Sequence, residues 1–244
     1  MATFGEALES SDGYEHPEVI AVVAEKTAAL SDAHPSSRKV KSRQALQRLL
    51  AVARTGHRDV RVLELGGACG AGYIETDRSL PGVLASWAVV ETPAMVDVAR
   101  ERFSDGQLSF HTSIDEALGT VGRPDLVIAE GVIQYTPDPI ATVRSLTRIA
   151  APVLYVSRSP VVRSGVAPVF GRQTTRARAH GPGSGPGATI SDTTVTLPVA
   201  IVSYEDVLAA TEPDYRLEME FDEGEAWRVS GSRLEDVGLL LRRA

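Results

Sequence analysis

The stretch Glu64-Leu65-Gly66-Gly67-Ala68-Cys69-Gly70 puts an acid at the end of a short apolar run and small residues through the turn that follows. Residues with little or no side chain let the backbone approach a ligand closely. Glu64 stands where a carboxylate can either meet a ligand ammonium or order the turn itself. A second acid, Glu91, closes the next apolar run, Trp87-Ala88-Val89-Val90, in which Trp87 reads as core. At the carboxyl edge of a parallel sheet, an acid one strand away from a glycine turn can accept both hydroxyls of a ribose. The two acids and the turn therefore predict a nucleoside-containing ligand.

Other nucleotide motifs fit less well. A dinucleotide turn needs G-x-G-x-x-G, and Ala68 and Ala71 occupy the second and third glycine positions after Gly66, which disfavours NAD. No Gly-Lys-Ser/Thr follows the turn, so a P-loop is absent. Acceptor-facing groups are expected after the strands: Tyr73 after the turn, Gln134 and Tyr135 after the fourth strand, Arg158 at the end of the fifth. His16, His111 and His180 are candidate bases, with no constellation around any of them. Arg158, Arg163, Arg172, Arg176 and Arg178 crowd one region, as a clamp for an anionic metabolite would, although a solvated face is the default for such a run. No carboxylate or histidine spacing declares a metal site.

Alternating elements must carry these residues. Apolar residues recur at helical spacing over Pro17–Leu30 (Val19, Val22, Val23, Leu30) and Gln44–Ala53 (Leu46, Leu49, Leu50, Val52), with a turn at His34–Ser37 between them. Then come strand and helix in turn: Asp59–Leu65; Trp87–Val90 and Ala94–Phe103; Leu108–Phe110 and Ser113–Leu118; Leu126–Ala129 and Ile140–Ile149; and the strand Val153–Val156. This rhythm implies parallel β-structure covered on both faces. Tyr215–Phe221 and Gly238–Arg242 read as a closing antiparallel pair. Gly171–Asp192, rich in Gly, Pro, Arg and Thr, reads as a flexible loop. The expected division is a helical N-terminal cap over 1–56 and a core over 57–244.

The 244 residues suffice for one large α/β domain. A formal net charge of -7 argues against nucleic acid as a partner, because polyanion binding draws on many Lys and Arg contacts. One cysteine excludes an internal disulfide framework, and with no basic leader or bilayer-length apolar run the expectation is a cytoplasmic chain without membrane contact. A small-molecule substrate is the expected partner, with a homodimer as a permitted assembly.

Glu64–Gly70 resembles the first motif, E/D-x-G-x-G-x-G, of Rossmann-like class I S-adenosylmethionine-dependent methyltransferases, with Ala68 at the middle glycine. Glu91 corresponds to their acidic second motif, and the closing strands to their last two. Trp87–Glu91, Glu130-Gly131-Val132-Ile133-Gln134-Tyr135 and Ser157-Arg158-Ser159-Pro160 resemble a family of bacterial methyltransferases associated with polysaccharide or natural-product gene clusters. Gly-Val-Leu-Gln-Tyr and Asp-Arg-Thr-Pro recur there, so Ser157 departs from the pattern. The resemblance runs from about Val60 to Arg163. It implies an α/β fold with a Rossmann-like, doubly wound, seven-stranded, mostly parallel sheet and an antiparallel last strand. It implies S-adenosyl-L-methionine as cofactor, held by Glu64, Gly66, Gly67 and Gly70, with Glu91 on the ribose, Thr112, Ser113 and Ile114 at the adenine, and Glu130 and Gly131 beside the methionine moiety. Ser113 also reads as a helix N-cap, with Glu116 completing a capping box. The activity implied is methyl transfer to an O or N atom of a small specialised metabolite or sugar. The alternatives are a non-catalytic donor-binding or scaffold protein on the same fold and, third, an NAD-dependent oxidoreductase.

Overall fold

The computed structural model describes residues 3–33, 42–163, 169–183, 191–229 and 232–244. The predicted turn at His34–Ser37 lies outside them. Strands β1 (Val60–Leu65), β2 (Leu84–Val90), β3 (Leu108–His111), β4 (Leu126–Glu130) and β5 (Val153–Val162) pair in parallel in the order β3-β2-β1-β4-β5. β9 (Ser232–Arg243) runs antiparallel against β5, and β8 (Tyr215–Val229) antiparallel against β9. These are the seven strands expected, with the antiparallel last strand between β5 and β8.

Two further strands correct the loop expected over Gly171–Asp192. β6 (Val169–Arg176) pairs along its whole length with β7 (Thr194–Ser203), and β7 joins the end of β5 through Val161–Val202 and Val162–Ser203. The composition of residues 171–176 offers little apolar surface, but ladder hydrogen bonds to β7 satisfy their backbone, and β7 itself buries Val195, Leu197, Ala200, Ile201 and Val202. Beyond β6, Lys26 holds the chain: its Nζ donates to the carbonyls of Arg178 at 2.6 Å, His180 at 2.8 Å and Gly183 at 3.4 Å. Residues 184–190 of that segment lie outside the described residues.

Side chains alternate between two apolar layers, as period-2 strands require. Val60, Val62, Trp87, Val89, Phe110, Ile128, Val153 and Tyr155 face one layer, closed by α2 (Pro17–Asp32), α3 (Arg43–Ala53), α4 (Ala71–Ser79) and α5 (Pro93–Phe103). Leu63, Ala88, Val127, Ala129, Leu154 and Val156 face the other, under α6 (Ile114–Val121), α7 (Pro139–Arg148) and α8 (Tyr204–Ala209). The helices at 17–53 therefore share the sheet's own core through Val19, Val22, Val23, Ala51 and Val52. A short α1 (Phe4–Glu9) precedes them, closed by a capping box in which Thr3 Oγ1 accepts from Glu6 N at 3.2 Å and Glu6 Oε2 from Thr3 N at 3.3 Å.

The buried face of α3 differs from the stripe predicted. Leu46 is 61% exposed, while Gln47 and Arg48 are buried beside Ala45, Ala51 and Val52. The helix turns a polar pair inward because each finds a partner beneath it: Gln47 Oε1 accepts from Tyr155 Oη at 2.8 Å, and Arg48 meets carboxylates. Among the described residues, no helix is long and apolar enough to cross a membrane.

Candidate functional site

Three glycines of the β1–α4 turn are required by the chain's own side chains. A Cβ on Gly66 (φ 75°) would lie 2.5 Å from Val132 Cβ, one on Gly67 2.4 Å from Glu64 Oε2, and one on Gly70 (φ 80°) 2.8 Å from Leu108 Cδ2. Real Cβ atoms do not approach so closely. The turn is thus seated on Val132 from the β4 end, on Glu64 from below and on Leu108 from β3. Ala68 adopts φ 50°, the left-handed region, which costs a non-glycine residue about 1 kcal/mol. Its N–H donates to Glu91 Oε1 at 3.0 Å, and a hydrogen bond to a charged acceptor contributes roughly 1.5–3 kcal/mol, enough to hold the conformation.

Glu91 thereby ties β2 to the turn. Its second oxygen accepts from Thr92 N at 2.9 Å, and burial raises its carboxyl above the ordinary range despite both bonds. A carboxylate offers about four lone-pair positions. Two backbone donors leave room for two more, which is what a ribose diol brings. At the end of β3, Ser113 caps α6 by accepting from Glu116 N at 3.2 Å. The return contact of Glu116 falls one residue earlier than a capping box places it: Thr112 N and Oγ1 both donate to Glu116 Oε2, at 3.1 and 3.0 Å. Ile114 begins the helix beside them.

Of the two roles open to Glu64, the contacts are those of ordering the turn. It lies on the α3 face of β1, buried, with Oε2 accepting from Trp87 Nε1 at 2.8 Å. Burial raises its carboxyl to about 7, against the pull of Arg48. Arg48 enters from α3 with its side chain 7% exposed and binds Glu130 Oε2 through Nε at 3.1 Å and Nη2 at 2.9 Å, and Glu75 Oε2 through Nη1 at 3.1 Å. One buried cation therefore serves acids from β1, α4 and β4. The residues predicted beside the methionine moiety, Glu130 and Gly131 (φ 67°), sit at the β4 end of this layer.

Gln134, Tyr135 and Arg158 come together at the ends of β4 and β5. Gln134 Nε2 donates to Arg158 O at 3.3 Å, and Tyr135 Oη donates to Gln173 Oε1 at 2.6 Å. The Arg158 guanidinium lies over Gly131, whose Cβ would sit 3.5 Å from Arg158 Cζ. Tyr73 does not join them. Its ring packs edge-on to Trp87 and its hydroxyl donates to Gln107 at 3.2 Å, just before β3 begins, while burial pushes the phenol up to about 12. The first turn of α4 aims residue 73 down the helix's inner face, away from the carboxyl edge.

Tyr14, invisible to motif reading, fills the space Tyr73 was assigned. It precedes α2 and meets Tyr135 edge-on with centroids 4.8 Å apart and His180 at 5.7 Å. Burial and the neighbouring Tyr135 raise its phenol well above the ordinary value. His16 instead caps α2, accepting from Glu18 N, and His111 pairs with Ser109 Oγ at 2.9 Å. Four of the five clustered arginines have partners in the chain. Arg163 binds Glu235 and Glu220, Arg172 the carbonyl of Ser10, and Arg176 and Arg178 reach Asp192. Arg158 is the member that faces the site.

A parallel sheet in the order 3-2-1-4-5 with an antiparallel strand inserted beyond β5, and a glycine turn clasped by an acid from β2, is the fold of class I S-adenosylmethionine-dependent methyltransferases. Solved structures agree. The N-terminal domain of EvdMO1, crystallised in the presence of SAH and D-fucose, superposes with a TM-score of 0.52 at 19% identity, over 84% of each chain. SAM-bound CalS10 from Micromonospora echinaspora, an amino pentose methyltransferase involved in calicheamicin biosynthesis, gives 0.51 at 16% identity over 86% of this chain and 94% of its own. No family model matches the sequence, and no curated protein does.

Proposed function

We propose that the chain transfers the methyl group of S-adenosylmethionine to an O or N atom of a small specialised metabolite or sugar. The observation that carries this reading is Glu91. It holds the strained Ala68 in the glycine turn while keeping lone pairs for a diol, on a fold shared with proteins crystallised with SAM or SAH. The turn at Gly66–Gly70 would carry the donor's backbone contacts, Glu91 its ribose, Thr112–Ile114 its adenine and Glu130–Gly131 its methionine end. Glu64 and Arg48 act through the turn, as positioning residues beneath it.

Bound donor supplies a methyl group already activated by its sulfonium. What remains for the protein is to align an acceptor lone pair and exclude water. Tyr14 packs edge-on against Tyr135, with Gln134 and Arg158 beside them, and we assign the acceptor to this cluster. Neighbours that meet a deoxyhexose or an amino pentose favour a sugar-bearing acceptor. Incubation with S-adenosylmethionine and a metabolite panel, read as release of S-adenosylhomocysteine, tests the activity. Donor binding without release under any acceptor would leave a binding protein.

A further inference from the structure

Two ladder slips and a glycine bring one carboxylate to the end of β5. On β5 the ladder slips between Val156, opposite Leu239, and Ser159, opposite Val237, and Arg158 within the slip has φ 51°. On β8 it slips again between Asp222 and Ala226, with Gly224 at φ 79°. Between them lies Gly238 of β9, where a Cβ would stand 3.0 Å from Glu223 Oε1. Glu223 crosses β9 through that gap, and its Oε2 accepts from Arg158 N at 2.6 Å. Bulges that re-aim a side chain are a feature of active sites.

Glu223 is 8% exposed and its Oε1 has no donor among the described residues. Gln134, 7% exposed, donates from Nε2 to the carbonyl of the same Arg158, which fixes the amide's orientation and leaves its Oε1 equally unpartnered. Two buried acceptor oxygens thus flank one residue and lack protons. Leaving a buried polar group unsatisfied costs roughly 1–3 kcal/mol, more when it is charged. A ligand that donates twice recovers this; a hydroxyl donates once, an ammonium three times. The charged groups that act on Glu223 are Glu130 on β4, itself paired with Arg48, Asp236 on β9 and Arg158 on β5. Burial, helped by Glu130 and Asp236 and opposed by Arg158, raises its carboxyl to about 7, where a base is poised to take a proton near neutral pH.

We propose that the methyl acceptor is an amine, and that Glu223 binds its ammonium and removes the proton, with Gln134 Oε1 accepting a second N–H. This rests on the methyltransferase reading above. The ammonium proton passes to Glu223 Oε1 and frees the nitrogen lone pair. That pair forms the N–CH3 bond as the C–S bond breaks, its electrons returning to sulfur. The product leaves as an N-methylammonium, and Glu223 releases its proton to solvent.

The test uses the whole chain saturated with S-adenosylhomocysteine and titrated calorimetrically with matched probes: tyramine against tyrosol, glucosamine against glucose. Turnover of the same probes is followed with S-adenosylmethionine. Amine members are expected to bind and turn over in preference to their hydroxyl counterparts. Glu223→Gln should lose at least tenfold in amine affinity and turnover, and Glu223→Asp should recover part of it. Both variants should bind S-adenosylhomocysteine within twofold of the wild type, which also reports that they fold. Preference for the hydroxyl probes, no preference in either pair, or a Glu223→Gln variant that handles amines as the wild type does would overturn the assignment while leaving the methyltransferase reading intact. A wild-type chain that fails to bind S-adenosylhomocysteine would remove both.

Discussion

Replacing Arg48 with methionine removes the one buried cation that contacts Glu130 and Glu75 and holds down the Glu64 carboxyl, at nearly unchanged side-chain length. Breaking a buried ion pair from one side costs about 3–5 kcal/mol, because the remaining charge stays buried. Protonation can relieve that cost. Glu64 already titrates at about 7 in the folded chain, against 4.5 as its ordinary value, equivalent to about 3 kcal/mol. The folded state binds this proton more tightly than the unfolded state. Its contribution is therefore full below pH 4.5 and is lost as pH rises through 7. Without Arg48 the carboxyl of Glu64 shifts further upward, and the window extends to higher pH. Urea unfolding of Arg48→Met should show a deficit of about 3–5 kcal/mol at pH 8 that falls by about 1 kcal/mol at pH 6. A deficit below about 1 kcal/mol at pH 8, or one that does not vary with pH, would refute the picture of a carboxylate layer neutralised from α3.

Other substitutions probe the turn and the cleft. Ala68→Gly removes the left-handed strain, about 1 kcal/mol, but also a half-buried methyl packed against the core, so stability in the same unfolding assay should change by less than about 1 kcal/mol; a larger loss would mean that the conformation at Ala68 is not strained. Gly66→Ala forces a Cβ into Val132, and should lower both stability and donor affinity, with Val132→Gly, which removes the Cβ it meets, restoring part of the donor affinity if the collision is the cause. Tyr14→Ala should impair turnover more than tenfold with little change in donor affinity, checked by steady-state kinetics beside calorimetry, whereas Tyr73→Phe, which removes a hydroxyl bonded to Gln107 away from that cluster, should leave turnover near wild type.

The glycine turn and the acid that clasps it were legible because they are local. An apolar strand, a run of small residues and an acid at the next strand's end are close in sequence. The acceptor side was legible in part: Gln134, Tyr135 and Arg158 end neighbouring strands and duly meet. Tyr73 misled because its position after the turn says nothing of which helix face it takes. Tyr14 and Glu223 come from opposite ends of the chain, and Glu223 reaches Arg158 across 65 residues only through paired ladder slips and Gly238. Such slips leave no periodic trace. The β6–β7 hairpin was missed for a related reason, since a strand of modest apolarity is stabilised by its partner. Two signals were available and unread: the Thr3-Phe4-Gly5-Glu6 capping box, and the Gln47-Arg48 pair interrupting an apolar helix above a strand that ends in glutamate.

The clasp between Glu91 and the glycine turn is the centre of the functional reading. Its most direct test is calorimetric titration of the purified chain and of Glu91→Ala with S-adenosylhomocysteine, with NAD as comparator. The account predicts one site on the wild type, affinity reduced at least tenfold in Glu91→Ala, and no heat with NAD. Silence toward S-adenosylhomocysteine, equal binding by both chains, or preference for NAD would contradict it.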